Sequence, residues 1–147
     1  VKEEVADGGE AAPLDVCYVL REGRDVTLVG WGAMVRECLA AAEALAVQGV
    51  SAEVIDVATL KPLDMASILD SVAKTGRCVI VQEAPLAVGV GAEIAAQLAE
   101  HGLLNLLAPV RRVAGYDTVM PLFRLEHAFL PDAARIAATV RDLLEYA

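Results

Sequence analysis

Val110-Arg-Arg-Val-Ala-Gly-Tyr-Asp117 reads as a strand running straight into a Gly-Tyr-Asp-Thr turn. About one strand–helix unit earlier, Arg77-Cys-Val-Ile-Val-Gln82 is an unbroken apolar strand that runs out onto Glu83-Ala84-Pro85. Strands of this kind are buried on both faces, which is the habit of parallel sheets covered by helices. In such sheets, contacts are built on the loops at the carboxyl ends of the strands. The two segments therefore decide the class and point to where function sits.

Working outward, the chain alternates. Strands are expected at 15–21, 25–31, 52–58, 77–82 and 110–114, and helices at 34–48, 64–74, 92–101 and 132–145. In the first helix Val35, Cys38, Leu39, Ala42, Leu45 and Ala46 recur at helical spacing, and Gly49 is placed to end it. Asp64 is a good N-cap for the second helix, and Gly76 stops it. Pro131-Asp132 introduces the last, with Ile136, Val140, Leu143 and Leu144 facing inward. The pattern specifies an α/β fold, a three-layer α/β/α sandwich with a mostly parallel sheet. Residues 1–13 are acidic and Gly-containing and read as a linker remnant, leaving 14–147 as one domain. The first residue is Val, so the start reads as cut from something longer.

Composition narrows the function. The 147 residues suffice for one real core. Hydrophobic residues make up 56%, yet they come in short blocks, none near the roughly 18–20 that span a membrane. A net charge of −9 argues against nucleic acid and suits a basic protein partner. Cys17, Cys38 and Cys78 have no metal-like spacing and are expected to be free, buried and in a reducing, cytoplasmic setting. The opening Val1-Lys-Glu-Glu, without a basic start or an apolar stretch, is not expected to be a secretory signal.

Candidate chemistry is thin. Gly30-Trp-Gly32 sits between strand and helix like a dinucleotide turn but lacks the third glycine, and a tight turn is the better reading. Gly89-Val-Gly91 is read the same way, as a helix entry. Ser71-Val-Ala-Lys74-Thr-Gly76 mimics serine β-lactamase motifs, but those converge from separate elements, whereas here they overlap in one helix end. His101 and His127 have no second ligand at useful spacing. No catalytic, cofactor-binding or metal-binding residue is assigned. Arg111 and Arg112 point to opposite faces, and at least one is expected to pair with a carboxylate or a neighbouring subunit.

What remains is surface. Glu83 and Pro85 lie at one strand exit and Asp117 at the next. Tyr116, Met120, Leu122, Phe123 and Phe129 fall in an irregular aromatic and Met-rich stretch of the type that forms interface cores. Asp142 and Glu145 join Asp117 as the expected acidic rim.

The segments Glu83-Ala84-Pro85 and Gly115-Tyr-Asp-Thr118, with Lys74-Thr75-Gly76-Arg77 and Glu53-Val-Ile-Asp56, resemble the carboxy-terminal domain of the β subunit of thiamine-diphosphate-dependent 2-oxoacid dehydrogenases, a member of the transketolase carboxy-terminal family. Met120-Pro121-Leu-Phe-Arg and Leu86-Ala-Val-Gly depart from the family's usual loops and leave branched-chain 2-oxoacid or pyruvate open as substrate. The resemblance implies a five-stranded sheet of order 1-3-2-4-5 with an antiparallel first strand. The plain reading of two strands joined by three residues is instead a hairpin; the family order is preferred. It also implies that this domain binds no cofactor. Thiamine diphosphate and Mg²⁺ belong to the α subunit and to the amino-terminal domain of the same β chain. The implied role is a β–β contact and docking of the basic subunit-binding domain of an acyltransferase in a multienzyme complex. A freestanding regulatory or ligand-binding module is the alternative.

Overall fold

A computed structural model describes residues 13–146, so the linker expected at 1–13 lies outside the described residues apart from Pro13. The strands are β1 (Tyr18–Arg21), β2 (Val26–Gly30), β3 (Ala52–Asp56), β4 (Cys78–Pro85) and β5 (Arg111–Gly115). The helices are α1 (Ala33–Ala46), α2 (Met65–Thr75), α3 (Val90–His101), the single turn α4 (Glu126–Phe129) and α5 (Ala133–Leu144). The sheet order is β1-β3-β2-β4-β5, with β1 antiparallel to β3 and the other pairs parallel. This is the order implied by the family resemblance, and the hairpin is not formed.

The physical reason lies in the crossover between β1 and β2. The amides of Arg24 and Asp25 both donate to the Ser51 carbonyl, at 3.0 and 2.9 Å, and the Asp25 carboxylate accepts from the Ser51 amide at 2.7 Å. The chain thus passes directly over the start of β3. Gly23 is required there, because a Cβ on it would fall 2.1 Å from the Glu53 backbone nitrogen.

Alternation within the strands feeds two cores. Val26, Leu28, Val54, Val79, Val81 and Val113 face α1 and α5. Val29, Ile55, Ile80 and Cys78 face α2 and α3. Each fully buried Leu or Ile contributes roughly 1.5–3 kcal/mol by leaving water. The central position of β2 explains why all five of its residues are buried. Thr27 is the polar exception, and its hydroxyl bonds those of Ser71 and Thr75 on α2, both at 2.7 Å.

Helix ends follow the local chemistry. Asp64 accepts from the Ser67 amide at 3.1 Å, and Asp132 accepts from the Arg135 amide at 2.7 Å. Gly76 takes the left-handed conformation after α2. α1 ends at Ala46 rather than 48, and its last carbonyls are closed by Gly49 donating to Ala46 and Val50 to Leu45. That is the Schellman arrangement, with Gly49 at φ 81°. The buried stripe of α1 is Met34, Cys38, Ala41, Ala42 and Leu45. It is rotated from the expected one: Val35 and Leu39 are half-buried and Ala46 is exposed. Packing of α1 against α5 as well as the sheet pulls the stripe toward Ala41.

Cys17, just ahead of β1, Cys38 on α1 and Cys78 on β4 are free and buried. Burial pushes the Cys17 thiol up to about 11 and those of Cys38 and Cys78 up to about 12. Only thiolate attacks a disulfide reagent. At pH 8 the native chain is therefore expected to react slowly with dithiobisnitrobenzoate, and all three thiols should titrate at once in denaturant. Rapid modification of any of them in the native state would contradict this.

Candidate functional site

The carboxyl ends of β4 and β5 and the stretch that follows them form one built surface. β5 ends on Gly115, where a Cβ would lie 2.4 Å from the Glu83 carbonyl oxygen and 2.6 Å from the Phe129 ring. The glycine lets the two strand exits and Phe129 close on one another. Pro85 pairs with Gly115 across the same exit. Tyr116 then meets Phe129 edge to face, with ring centroids 6.3 Å apart at 68°.

Arg135, from the first turn of α5, ties this corner together. Its guanidinium sits 4.9 Å from the Tyr116 ring centroid. It donates to the Ala114 carbonyl at 2.9 Å and to those of Leu130 and Phe129 at 3.3 and 3.5 Å. Two further bonds join the loops. Asp117 accepts from the Ala87 amide at 2.9 Å, and Arg112 donates to the Leu86 carbonyl at 2.9 Å. Neither Arg111 nor Arg112 forms an ion pair among the described residues, so of the two expected partners, a carboxylate or a neighbouring subunit, the carboxylate is not met there, and Arg112 bonds a backbone carbonyl.

Beyond this corner the chain turns apolar side chains outward. Leu122 is 87% exposed and Phe123 88%, and Val119, Met120 and Leu125 are exposed beside them. The segment runs through a short 3-10 turn at Phe123–Leu125 into α4. Behind it lies a hollow of about 370 Å³ lined by Tyr116, Thr118, Val119, Pro121, Leu125, Ala128 and Phe129. A contiguous apolar surface of this kind is a candidate interaction site.

The structure corrects two expectations. Phe129 does not line that surface: it is 5% exposed and serves as the internal anchor of the segment. Its ring fills the space that Gly115 leaves open. Nor do Asp117, Asp142 and Glu145 form one rim. α5 begins where Arg135 bonds Ala114 at the carboxyl end of β5, and it ends beside Tyr146, which shares a hollow with Ala108 and Pro109 ahead of β5. Twelve helical residues span about 18 Å. Asp117 thus sits at one end of the sheet, and Asp142 and Glu145 are exposed at the other.

Glu83 is exposed and lines a cleft of about 390 Å³ with Met34, Arg36, Glu37, Glu126, His127 and Asp132. Two of its acids have structural work. Glu37 accepts from the Ala133 amide at 3.1 Å, and Asp132 caps α5. Gly91 likewise serves packing, since its amide donates to Gln82 Oε1 at 2.9 Å and a Cβ there would meet the same oxygen at 2.5 Å. That amide is spent on a side chain, so the loop does not fit a diphosphate cradle. Among the described residues no three His, Cys, Asp or Glu side chains could hold a metal ion. These residues therefore do not fit thiamine diphosphate or Mg²⁺.

Sequence reasoning missed Arg135, Gln82 and Glu53. Glu53 is 1% exposed on β3 and bonds Lys74, which also meets Glu22 at 2.8 Å. Lys74, in the last turn of α2, therefore serves a buried carboxylate. Desolvation raises the Glu53 pKa, and hydrogen bonds from Lys74, Ser71 and the Gly23 amide outweigh it, holding the carboxyl below its usual range. The available signal was an acid second in the apolar strand run at 52–58, ahead of Val54 and Ile55.

Comparison with known proteins follows the same lines. The model of the family "Transketolase, C-terminal domain" matches residues 15–136. A pyruvate dehydrogenase E1 component subunit beta from Staphylococcus epidermidis is 44% identical over 145 residues, covering 99% of this chain and 45% of the relative. One from Leifsonia xyli is 47% identical, covering 99% and 43%. The chain thus spans about half the length of the curated relatives it matches. Among solved structures, a split gene transketolase described as an inactive beta4 tetramer superposes with a TM-score of 0.82 at 30% identity, covering 98% of this chain and 46% of that one. A 2-oxoglutarate:ferredoxin oxidoreductase from Magnetococcus marinus, at 10% identity and a TM-score of 0.60, shares the fold.

Proposed function

The chain belongs to the transketolase C-terminal domain family, and from that premise we propose that it is the carboxy-terminal domain of the β subunit of a 2-oxoacid dehydrogenase decarboxylating component, acting on pyruvate. The observation that carries this reading is the 44% identity over 99% of the chain to a subunit named for pyruvate dehydrogenase. The parent enzyme would use thiamine diphosphate and Mg²⁺, held outside this domain, to decarboxylate the 2-oxoacid and pass the acyl group to lipoamide in a cytoplasmic multienzyme complex. The domain itself contributes assembly.

Its geometry supports two contacts. The apolar Val119–Leu125 segment is the β–β surface, held in shape by Gly115, Phe129 and Arg135. Desolvating two exposed residues as large as Leu122 and Phe123 stabilises association by about 1.5–3 kcal/mol each. The acidic end of α5, with Asp142 and Glu145, faces the basic subunit-binding domain of the acyltransferase. The α subunit meets the remainder of the β chain.

The test uses the full β subunit that contains this chain, co-expressed with its α subunit. It should turn over pyruvate faster than branched-chain 2-oxoacids, and the 147-residue chain alone should turn over neither. Phe123→Asp should shift the β dimer toward monomer by at least an order of magnitude in dissociation constant, read by light scattering. An unchanged dimer would remove the segment from the interface, and preference for branched-chain acids would overturn the substrate.

A further inference from the structure

Arg112 and Arg135 line the same cleft, about 320 Å³ in volume, together with Leu86, Ala114, Gly115, Tyr116 and Asp117. In a chain of net charge −9, two guanidiniums without an ion-pair partner among the described residues are against the average. The one acid of the cleft, Asp117, has an oxygen committed to the Ala87 amide. Each guanidinium carries five N–H donors. Arg112 places one bond, to Leu86, and Arg135 places three, all on backbone carbonyls. Most donors on Arg112 therefore remain free beside a rigid second cation. Arg135 is fixed by those three bonds and by the Tyr116 ring. The rest of the lining, Leu86, Ala114 and the Tyr116 ring, is apolar.

We propose that this cleft is a binding site for a small organic monocarboxylate, its carboxylate on the Arg112 fork beside Arg135 and its short apolar end against Leu86 and Tyr116. A planar carboxylate matches the guanidinium fork in a two-point bond. The Asp117 carboxylate and the apolar lining disfavour a doubly charged, strongly hydrated phosphate relative to a single carboxylate. The cleft adjoins the apolar segment assigned to β–β contact, with Tyr116 lining both, and it does not depend on the parent enzyme's reaction.

The test is a titration of the ¹⁵N-labelled 147-residue chain with isobutyrate at constant ionic strength. Saturable amide shifts are expected at Leu86, Ala87 and Ala114–Asp117. Isobutyramide, which has the shape without the charge, should leave them unmoved. Arg112→Gln should weaken binding about tenfold or more, the worth of one charged two-point bond. Arg112→Lys, which keeps the charge and loses the fork, should fall between, and it carries the comparison alone if Arg112→Gln folds poorly by circular dichroism. Non-saturating or scattered shifts, equal binding of the amide, or unchanged affinity in the variants would overturn the proposal. Phosphate binding as tightly as isobutyrate would overturn the ligand class.

Discussion

Lys74→Met is expected to destabilise the chain by about 3 kcal/mol at pH 7, because it leaves the Glu53 carboxylate buried without its cation. Methionine keeps most of the stem's packing, so the loss reports the charge. The alternative partner, Glu22, is exposed, and its pair with Lys74 contributes less than about 1 kcal/mol. The pH dependence carries the sharper signature. In the native chain the folded carboxyl lies below its ordinary value of 4.5, so its contribution is fully present above that value. It is lost as pH falls through the folded value. In Lys74→Met both lysine contributions are lost and only the Ser71 and Gly23 donors oppose desolvation, so the folded pKa should rise and protonation at low pH should relieve part of the strain. The gap between variant and wild type should therefore shrink as pH is lowered from 7 toward 4, measured by urea denaturation at each pH. Glu53→Gln, which removes the charge and keeps the shape, should cost less than Lys74→Met. Adding it to the lysine variant should recover part of the loss. A gap independent of pH would exclude the buried carboxylate as its cause.

Gly115→Ala is the second large effect. The added methyl has no room: the Glu83 carbonyl oxygen at 2.4 Å is backbone, and the Phe129 ring at 2.6 Å is wedged inside the segment. Neither yields like the end of a flexible chain. Overpacking of this kind costs about 3 kcal/mol, expected here as a drop in urea midpoint. The damage should also reach the surface. Displacing Phe129 loosens its contact with Tyr116 and the hold of Arg135 on the strand exit, so the Val119–Leu125 segment loses its shape. In the full β subunit, Gly115→Ala should weaken the dimer, and Phe129→Leu, which makes room, should restore part of the stability in the double variant. An alanine that leaves both stability and dimer intact would mean the exit has slack that the packing does not show.

The comparison of these two sites shows how far local sequence reaches. Asp64, Gly76 and Asp132 mark helix ends in the sequence because a cap acts on amides within three or four residues, and they occupy those places. The strands were found because an unbroken apolar run is itself the mark of a strand covered on both faces. The irregular 115–130 stretch stood out because its apolar residues fit neither a helical nor a strand period. Four of them, Tyr116, Met120, Leu122 and Phe123, are exposed.

The sequence by itself determined the alternation of elements, their caps and, through family resemblance, the strand order. Only the tertiary structure decided which side chains meet. Glu53 and Lys74 are 21 residues apart, Ala114 and Arg135 also 21, and Ala87 and Asp117 30. No periodicity of 2 or 3.6 residues carries information over such separations. Whether Phe129 turns in while Phe123 turns out depends on the space that Gly115 leaves between two strand ends, and that space exists only once the sheet has closed.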